Sequence, residues 1–163
     1  MLRVGIGTDR HLLVGGRRLI LGGVLLDYPK GCAGFSDGDV LTHAVIDALL
    51  GAAGLGDIGH HFPDTDPKWK KADSIQMLKE VVQLIATQGG GRPVCVDCVL
   101  HLQQPKLGRL KQEMAGCLAE AIGLPRHMVN VKAKTGEGVG EVAAFRLAGD
   151  LTLRLVGGGL LAR

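Results

Sequence analysis

Residues 31–51 read Gly-Cys-Ala-Gly-Phe-Ser-Asp-Gly-Asp-Val-Leu-Thr-His-Ala-Val-Ile-Asp-Ala-Leu-Leu-Gly. The first nine are loop material, and Ser36 with Asp39 three positions on resembles a capping box ahead of an apolar run, so a helix is expected to begin there. Val40, Leu41, Ala44, Ile46, Ala48, Leu49 and Leu50 carry it to the glycines at 51, 54 and 56, which end it and open a polar loop holding Asp57, His60, His61, Asp64 and Asp66. Upstream, Leu2–Gly7 and Arg18–Leu26 are aliphatic runs bounded by glycine, consistent with two strands joined by the Gly15-Gly16 turn.

Downstream, Ile75, Leu78, Val82 and Ile85 recur at helical spacing, predicting a helix over Asp73–Gln88 capped at Asp73 or Ser74. Val94–Leu102 alternates with one firmly apolar face, the mark of a strand, and Pro105 ends it. A helix from Lys106 or Leu107 to Ile122 is expected from the stripe Leu110, Met114, Leu118 and Ile122, with strands over Val129–Lys134 and Glu141–Val156. No repeat, linker or low-complexity tract interrupts this, so residues 1–163 read as a single domain.

Composition narrows the function. Hydrophobic residues at 46% and charged residues at 21% describe a chain that folds, and 3% aromatics leave too few stacking platforms for single-stranded nucleic acid. A net charge of +3 with no long basic cluster argues against a nucleic-acid stripe and suits small anionic ligands. No apolar stretch approaches the roughly 18 residues of a membrane span, and Met1-Leu2-Arg3-Val4-Gly5 lacks signal-peptide character, so a cytoplasmic location is expected. The four cysteines are expected as reduced thiols, since strand alternation sends Cys95 and Cys98 to opposite faces. Gly5-Ile6-Gly7 has Arg10 where a dinucleotide fingerprint needs its third glycine.

Asp9 and His11 are two apart, so in an extended backbone their side chains leave one face. His43 lies between Asp39 and Asp47 at four-residue steps on the first helix. Two imidazoles and a carboxylate form a three-ligand set suited to Zn²⁺, with a helix carboxylate orienting His43 from behind. The plainer alternative makes Asp9 a turn cap and His43 a solvated helix residue, and spacing alone favours it, because Asp-x-His arises often by chance.

Longer motifs carry a resemblance. Gly7-Thr8-Asp9-Arg10-His11, Ser36-Asp37-Gly38-Asp39-Val40 with His43, Asp47-Ala48-Leu49-Leu50-Gly51, Gly56-Asp57-Ile58-Gly59, and Phe62-Pro63-Asp64-Thr65-Asp66-Pro67 resemble the 2-C-methyl-D-erythritol 2,4-cyclodiphosphate synthases. Pro105-Lys106-Leu107 and Val129-Asn130-Val131-Lys132-Ala133-Lys134-Thr135-Gly136-Glu137 extend it over nearly all of the chain before Glu137. The resemblance implies an α+β fold with a mixed four- to five-stranded sheet packed against about three helices. It implies a homotrimer with sheets around the central axis and sites between subunits.

The implied enzyme is a phosphorus-oxygen lyase of non-mevalonate isoprenoid synthesis. It converts 4-diphosphocytidyl-2-C-methyl-D-erythritol 2-phosphate to the 2,4-cyclodiphosphate and releases CMP. By resemblance Asp9, His11 and His43 bind Zn²⁺, and Glu137 binds Mg²⁺ or Mn²⁺ on the substrate diphosphate. Asp57 and Gly59 hold the ribose side, and Phe62, Pro63, Asp64, Thr65 and Asp66 line the methylerythritol side. Leu102, Gln103, Gln104, Pro105, Lys106, Leu107 and Gly108 form the cytidine-diphosphate pocket with Lys134, Thr135, Gly136 and Glu137, and Thr135 supplies a transition-state hydroxyl. Asp9, Arg10, His11, Ser36 and Ile58 complete the implied substrate contacts.

The chemistry suits these residues, because a phosphate nucleophile is already anionic and needs position and positive charge rather than a base. Two unit charges at about 4 Å repel by about 4 kcal/mol at an effective dielectric near 20, which divalent cations offset. Two departures stand out: the family places a histidine where Phe35 stands, and a longer Gly-rich segment with Phe and Arg after the position of Glu137. The competing expectation is a relative that keeps metal and cytidine-nucleotide sites with weak or lost turnover; a third is a metal-dependent phosphohydrolase giving a linear product.

Overall fold

The computed structural model describes residues 3–88 and 91–135 and the backbone of two strands at 150–154 and 159–162. The expectations on Gly136 and Glu137, and most of that on Glu141–Val156, lie outside the described residues.

The chain opens with β1 (Arg3–Gly5) and β2 (Thr8–Gly15), followed by a short hairpin, β3 (Leu19–Leu21) with β4 (Val24–Leu26), and by β5 (Lys30–Cys32). Next come α1 (Val40–Ala53), the four-residue α2 (Ile58–His61) and α3 (Ser74–Thr87). Strand β6 (Arg92–His101), helix α4 (Leu110–Ile122), and strands β7 (Val129–Lys134), β8 (Asp150–Arg154) and β9 (Gly159–Ala162) complete it.

Among the described residues, seven strands form one mixed sheet, and β3–β4 stands apart as a second, two-stranded one. Strand β7 runs parallel to β6 from Val96↔Val129 to His101↔Lys134. On the other side, β9 pairs antiparallel with the start of β6 and β8 with its end. In turn β1 pairs with β9 and β2 with β8, and β5 adds to the far end of β2. The sheet therefore has more strands than the four to five expected, because successive short strands share one line across its width. The described helices number four rather than about three, α2 being a short turn inside what reads as a polar loop.

Helices α1, α3 and α4 cover the sheet, with α1 packed on β1 and β2, α3 on α1, and α4 on β7 and α3. Twelve of the fourteen residues of α1 are buried, so this helix is apolar nearly all round and forms the centre of the core. Its seat on the sheet requires glycine: a Cβ on Gly7 would lie 2.0 Å from the Ala44 carbonyl oxygen. The buried face of β6, Val96, Cys98 and Leu100, continued by Leu102 just past its end, is the apolar face expected from the alternation. The opposite sheet surface leaves Val4, Ile6 and Leu12 more than half exposed.

Two local readings change. Ser36 does not cap α1; Asp39 does, accepting from the Thr42 amide while its carboxylate also receives the Thr42 hydroxyl and the Gly22 and Gly23 amides. Four donors meet on a fully buried carboxylate, which ties the β3–β4 turn to the helix start. The third main helix begins at Leu110 rather than at 106 or 107, after a loop containing the cis Gln104–Pro105 bond.

Candidate metal centre and active site

Asp9 and His11 lie on β2, an extended strand rather than a turn beyond one, so they face the same side. His43 sits one turn into α1 and meets them because α1 rests on the glycines that precede β2. Asp9 Oδ2 is 2.8 Å from His11 Nε2 and 2.9 Å from His43 Nδ1, and the two ring centroids are 5.3 Å apart. One donor atom from each of the three lies within 4.8 Å of the others, the only such group of three or more metal-ligating side chains among the described residues.

The surroundings fix the tautomers. His11 Nδ1 faces the Ala33 carbonyl, which only accepts, so Nδ1 carries a proton and Nε2 keeps its lone pair toward Asp9. Gly34 makes room for that ring, since a Cβ there would lie 3.0 Å from His11 Cε1. On the helix side, the Ser74 hydroxyl donates to Asp37 Oδ1 at 2.5 Å and therefore accepts from His43 Nε2 at 2.8 Å. His43 Nδ1 is left with a lone pair aimed at Asp9 as well. Two nitrogen lone pairs and a carboxylate oxygen thus converge with no proton of their own between them, and only positive charge makes that arrangement favourable.

The electrostatics agree. Burial opposes protonation of His11, yet its hydrogen bond to and charge attraction from Asp9 outweigh this and raise its pKa above the ordinary value. Burial would raise Asp9, but the two imidazoles hold its carboxyl well below the usual carboxylate range. The expected orienting carboxylate on α1 is corrected. Asp39 is occupied with backbone donors and Asp47 accepts from the Ile58 amide at 2.8 Å, so the group behind His43 is Asp37, reached through Ser74. Burial pushes the pKa of both Asp39 and Asp47 up.

The three ligands open on a cavity of about 440 Å³. Among the expected substrate-contacting residues, Asp9, His11, Ser36, Ile58, Gly59, Phe62, Pro63, Asp64 and Thr65 line it. Phe35, Trp69 and Met77 line it too; Phe35 reads from the sequence only as a departure, Trp69 as part of a solvated segment, and Met77 carries no signal beyond helix spacing. The Phe62 and Trp69 rings meet edge to face at 4.7 Å and make its apolar end.

Asp57 and Asp66 instead cap local turns, accepting from the His60 and Lys68 amides, and Arg10 leaves β2 on the side away from Asp9. The residues 102–108 and 134–135 gather at the end of the parallel pair β6–β7, where the Leu102 amide donates to the Lys134 carbonyl at 2.9 Å, and none of them lines the cavity. His61 bonds the Leu55 carbonyl and is no metal ligand partner of His60 among the described residues. Cys95 and Cys98 are free thiols in β6, as expected.

Comparison with known proteins decides the family. The YgbB family profile matches residues 2–147. The chain belongs to the YgbB family. A YgbB relative from Desulfatibacillum aliphaticivorans, a 2-C-methyl-D-erythritol 2,4-cyclodiphosphate synthase, is 54% identical over 85% of this chain and 89% of its own. A solved CDP-bound 2-C-methyl-D-erythritol-2,4-cyclodiphosphate synthase superposes with a TM-score of 0.82 at 38% identity, covering 93% of this chain and 96% of that one. The bifunctional IspDF of Campylobacter jejuni reaches 0.87 at 37% identity over all of this chain, which spans 43% of that protein's length. The YgbB membership agrees with the resemblance carried by the motifs around Asp9, Ser36 and Asp57.

Proposed function

We propose that this chain cyclises 4-diphosphocytidyl-2-C-methyl-D-erythritol 2-phosphate to 2-C-methyl-D-erythritol 2,4-cyclodiphosphate and releases CMP. The observation that carries it is the convergence of Asp9 Oδ2, His11 Nε2 and His43 Nδ1 on one point in a cavity that Phe35, Phe62, Trp69 and Met77 also line. The relatives named above favour turnover over a binding-only role. The donor set of two imidazoles and a carboxylate fits Zn²⁺, which when bound supplies Lewis acidity and positive charge to the phosphates.

The chain's own residues position the rest. Phe62, Trp69, Met77 and Phe35 form an apolar wall for the methyl-bearing carbon skeleton, while the Asp9 end takes the charged groups. Holding both phosphates of one substrate in a folded conformer makes the attack of the 2-phosphate on the β-phosphate intramolecular. The phosphorus–oxygen bond to CMP breaks as the ring closes, and CMP leaves with the bonding pair. No residue has to abstract a proton, because the attacking oxygen is already anionic.

Residues 102–108 with Lys134 and Thr135 are assigned to the cytidine-diphosphate end, Thr135 supplying the transition-state hydroxyl and Glu137 the second ion, Mg²⁺ or Mn²⁺. Because these residues lie away from the cavity of their own chain, the reading includes a homotrimer in which a neighbouring copy brings them to it. The exposed row Val4, Ile6 and Leu12 supports a sheet face that packs against another copy.

Incubation of the pure protein with the CDP-linked substrate, Zn²⁺ and Mg²⁺ tests this by ³¹P NMR. Equal amounts of CMP and cyclic diphosphate are expected; no CMP above that of His43→Ala, or a linear monophosphate product, overturns it.

A further inference from the structure

A second cavity of about 320 Å³ shares Ser36 with the first, but none of Asp9, His11 and His43 lines it. Arg17, Arg18 and Lys71 line it with a single acid, Asp37, so it carries three positive charges against one negative. The carboxylate of Asp37 already accepts from the Ser74 amide, the Ser74 hydroxyl and the Asp39 amide, which turns its acceptor capacity inward. Arg17 is pinned in place by donating to the Gly34 and Ser36 carbonyls at 2.9 and 2.7 Å.

Lys71 is the second observation. It is the only described non-glycine residue with a left-handed backbone, at φ 61°, and its amide donates to the Phe35 carbonyl at 2.8 Å. A lysine is a costly choice for that conformation, of order 1 kcal/mol or more against glycine. Lys71 lines the cavity, and neither its ammonium nor the Arg18 guanidinium has an anionic partner among the described residues.

We infer that this cavity is a second anion site, distinct from the metal centre, that takes the phosphate group of a small phosphorylated molecule on Arg17, Arg18 and Lys71. A planar guanidinium fixed from behind and two cations without an anionic partner among the described residues suit a tetrahedral dianion, which accepts several charge-assisted hydrogen bonds at once. The source is either free orthophosphate or the phosphate end of a nucleotide. Because Arg17 holds the Gly34 and Ser36 carbonyls, occupancy here bears on the loop that places Ser36 beside His43.

The test is calorimetric titration of the intact protein at low salt with orthophosphate and, separately, with CMP. Binding is expected in the wild type and in His43→Ala, with affinity reduced roughly tenfold in Lys71→Gly and in Arg18→Ala. Lys71→Gly also removes the backbone strain, so it is expected to fold at least as stably, and Lys70→Ala, outside the cavity, to bind as the wild type does. Tighter binding of CMP than of orthophosphate, still sensitive to Lys71→Gly, identifies a nucleotide; equal affinity identifies the phosphate alone. The inference is overturned if the wild type binds neither, if Lys70→Ala weakens binding as much as Lys71→Gly, or if only His43→Ala abolishes it.

Discussion

Ser74 is not among the site residues expected from the sequence, yet it decides which nitrogen of His43 carries the proton. Ser74→Ala is expected to lower Zn²⁺ affinity about 10- to 100-fold while leaving the three ligands in place, and Ser74→Thr to retain most of it. Competition with a chelating dye measures both; an unchanged affinity in Ser74→Ala would remove Asp37 and Ser74 from the account. The link spans 37 residues of sequence and has no spacing signature, which is why the sequence pointed to Asp39 and Asp47 instead. Asp9, His11 and His43, by contrast, were legible through their motifs.

The same residues set a pH dependence. In metal-stripped protein His11 titrates above 6.5, so its contribution to stability is complete below that value and lost as pH rises through the raised one. Asp9 titrates well below 3.8, so its contribution is present above that pH and lost only as pH falls toward the lowered value. Urea midpoints of metal-stripped protein should therefore fall as pH rises above 6.5, whereas Zn²⁺ affinity should rise, since protons leave the ligands. A midpoint that climbs over that interval without metal would contradict the assigned direction for His11.

At the level of elements, α1 carries His43 to the strand, and two features hold it there. Gly7→Ala places a methyl against the Ala44 carbonyl and is expected to cost about 3 kcal/mol or more and to weaken metal binding by shifting the helix. Asp39→Ala strips the cap and leaves buried amides of Gly22 and Gly23 without an acceptor, for a loss of about 2–4 kcal/mol in urea unfolding. Helices α1, α3 and α4 and strands β6 and β7 were readable because their apolar periodicity reports burial directly. Strand β2 was only half so: the aliphatic run expected as a strand ends at Gly7, and pairing with β8, some 140 residues away, is what makes Thr8, Asp9, Arg10 and His11 a strand. The true N-cap was hidden because Ser36 and Asp39 both fit the pattern and the burial that selects Asp39 comes from the distant β3–β4 turn.

For the whole molecule, one chain holds the metal ligands and the apolar wall in one place and the 102–108 and 134–135 residues in another. If a neighbouring copy unites them, Ile6→Asp on the exposed sheet face should dissociate the assembly and remove CMP release while sparing Zn²⁺ binding. Sedimentation of the wild type is expected to give a trimer, and full activity from a monomeric Ile6→Asp would refute the shared site. The sequence motifs name these residues one by one, but their separation within a chain is visible only in three dimensions.

The central claim is that Asp9, His11 and His43 hold one divalent cation. Anomalous difference maps from crystals grown with zinc, recorded on both sides of the zinc edge, test it most directly. A peak in each chain bounded by Asp9 Oδ2, His11 Nε2 and His43 Nδ1, absent from His43→Ala, is the predicted result. Zinc-replete crystals with no anomalous density between these three side chains would contradict it.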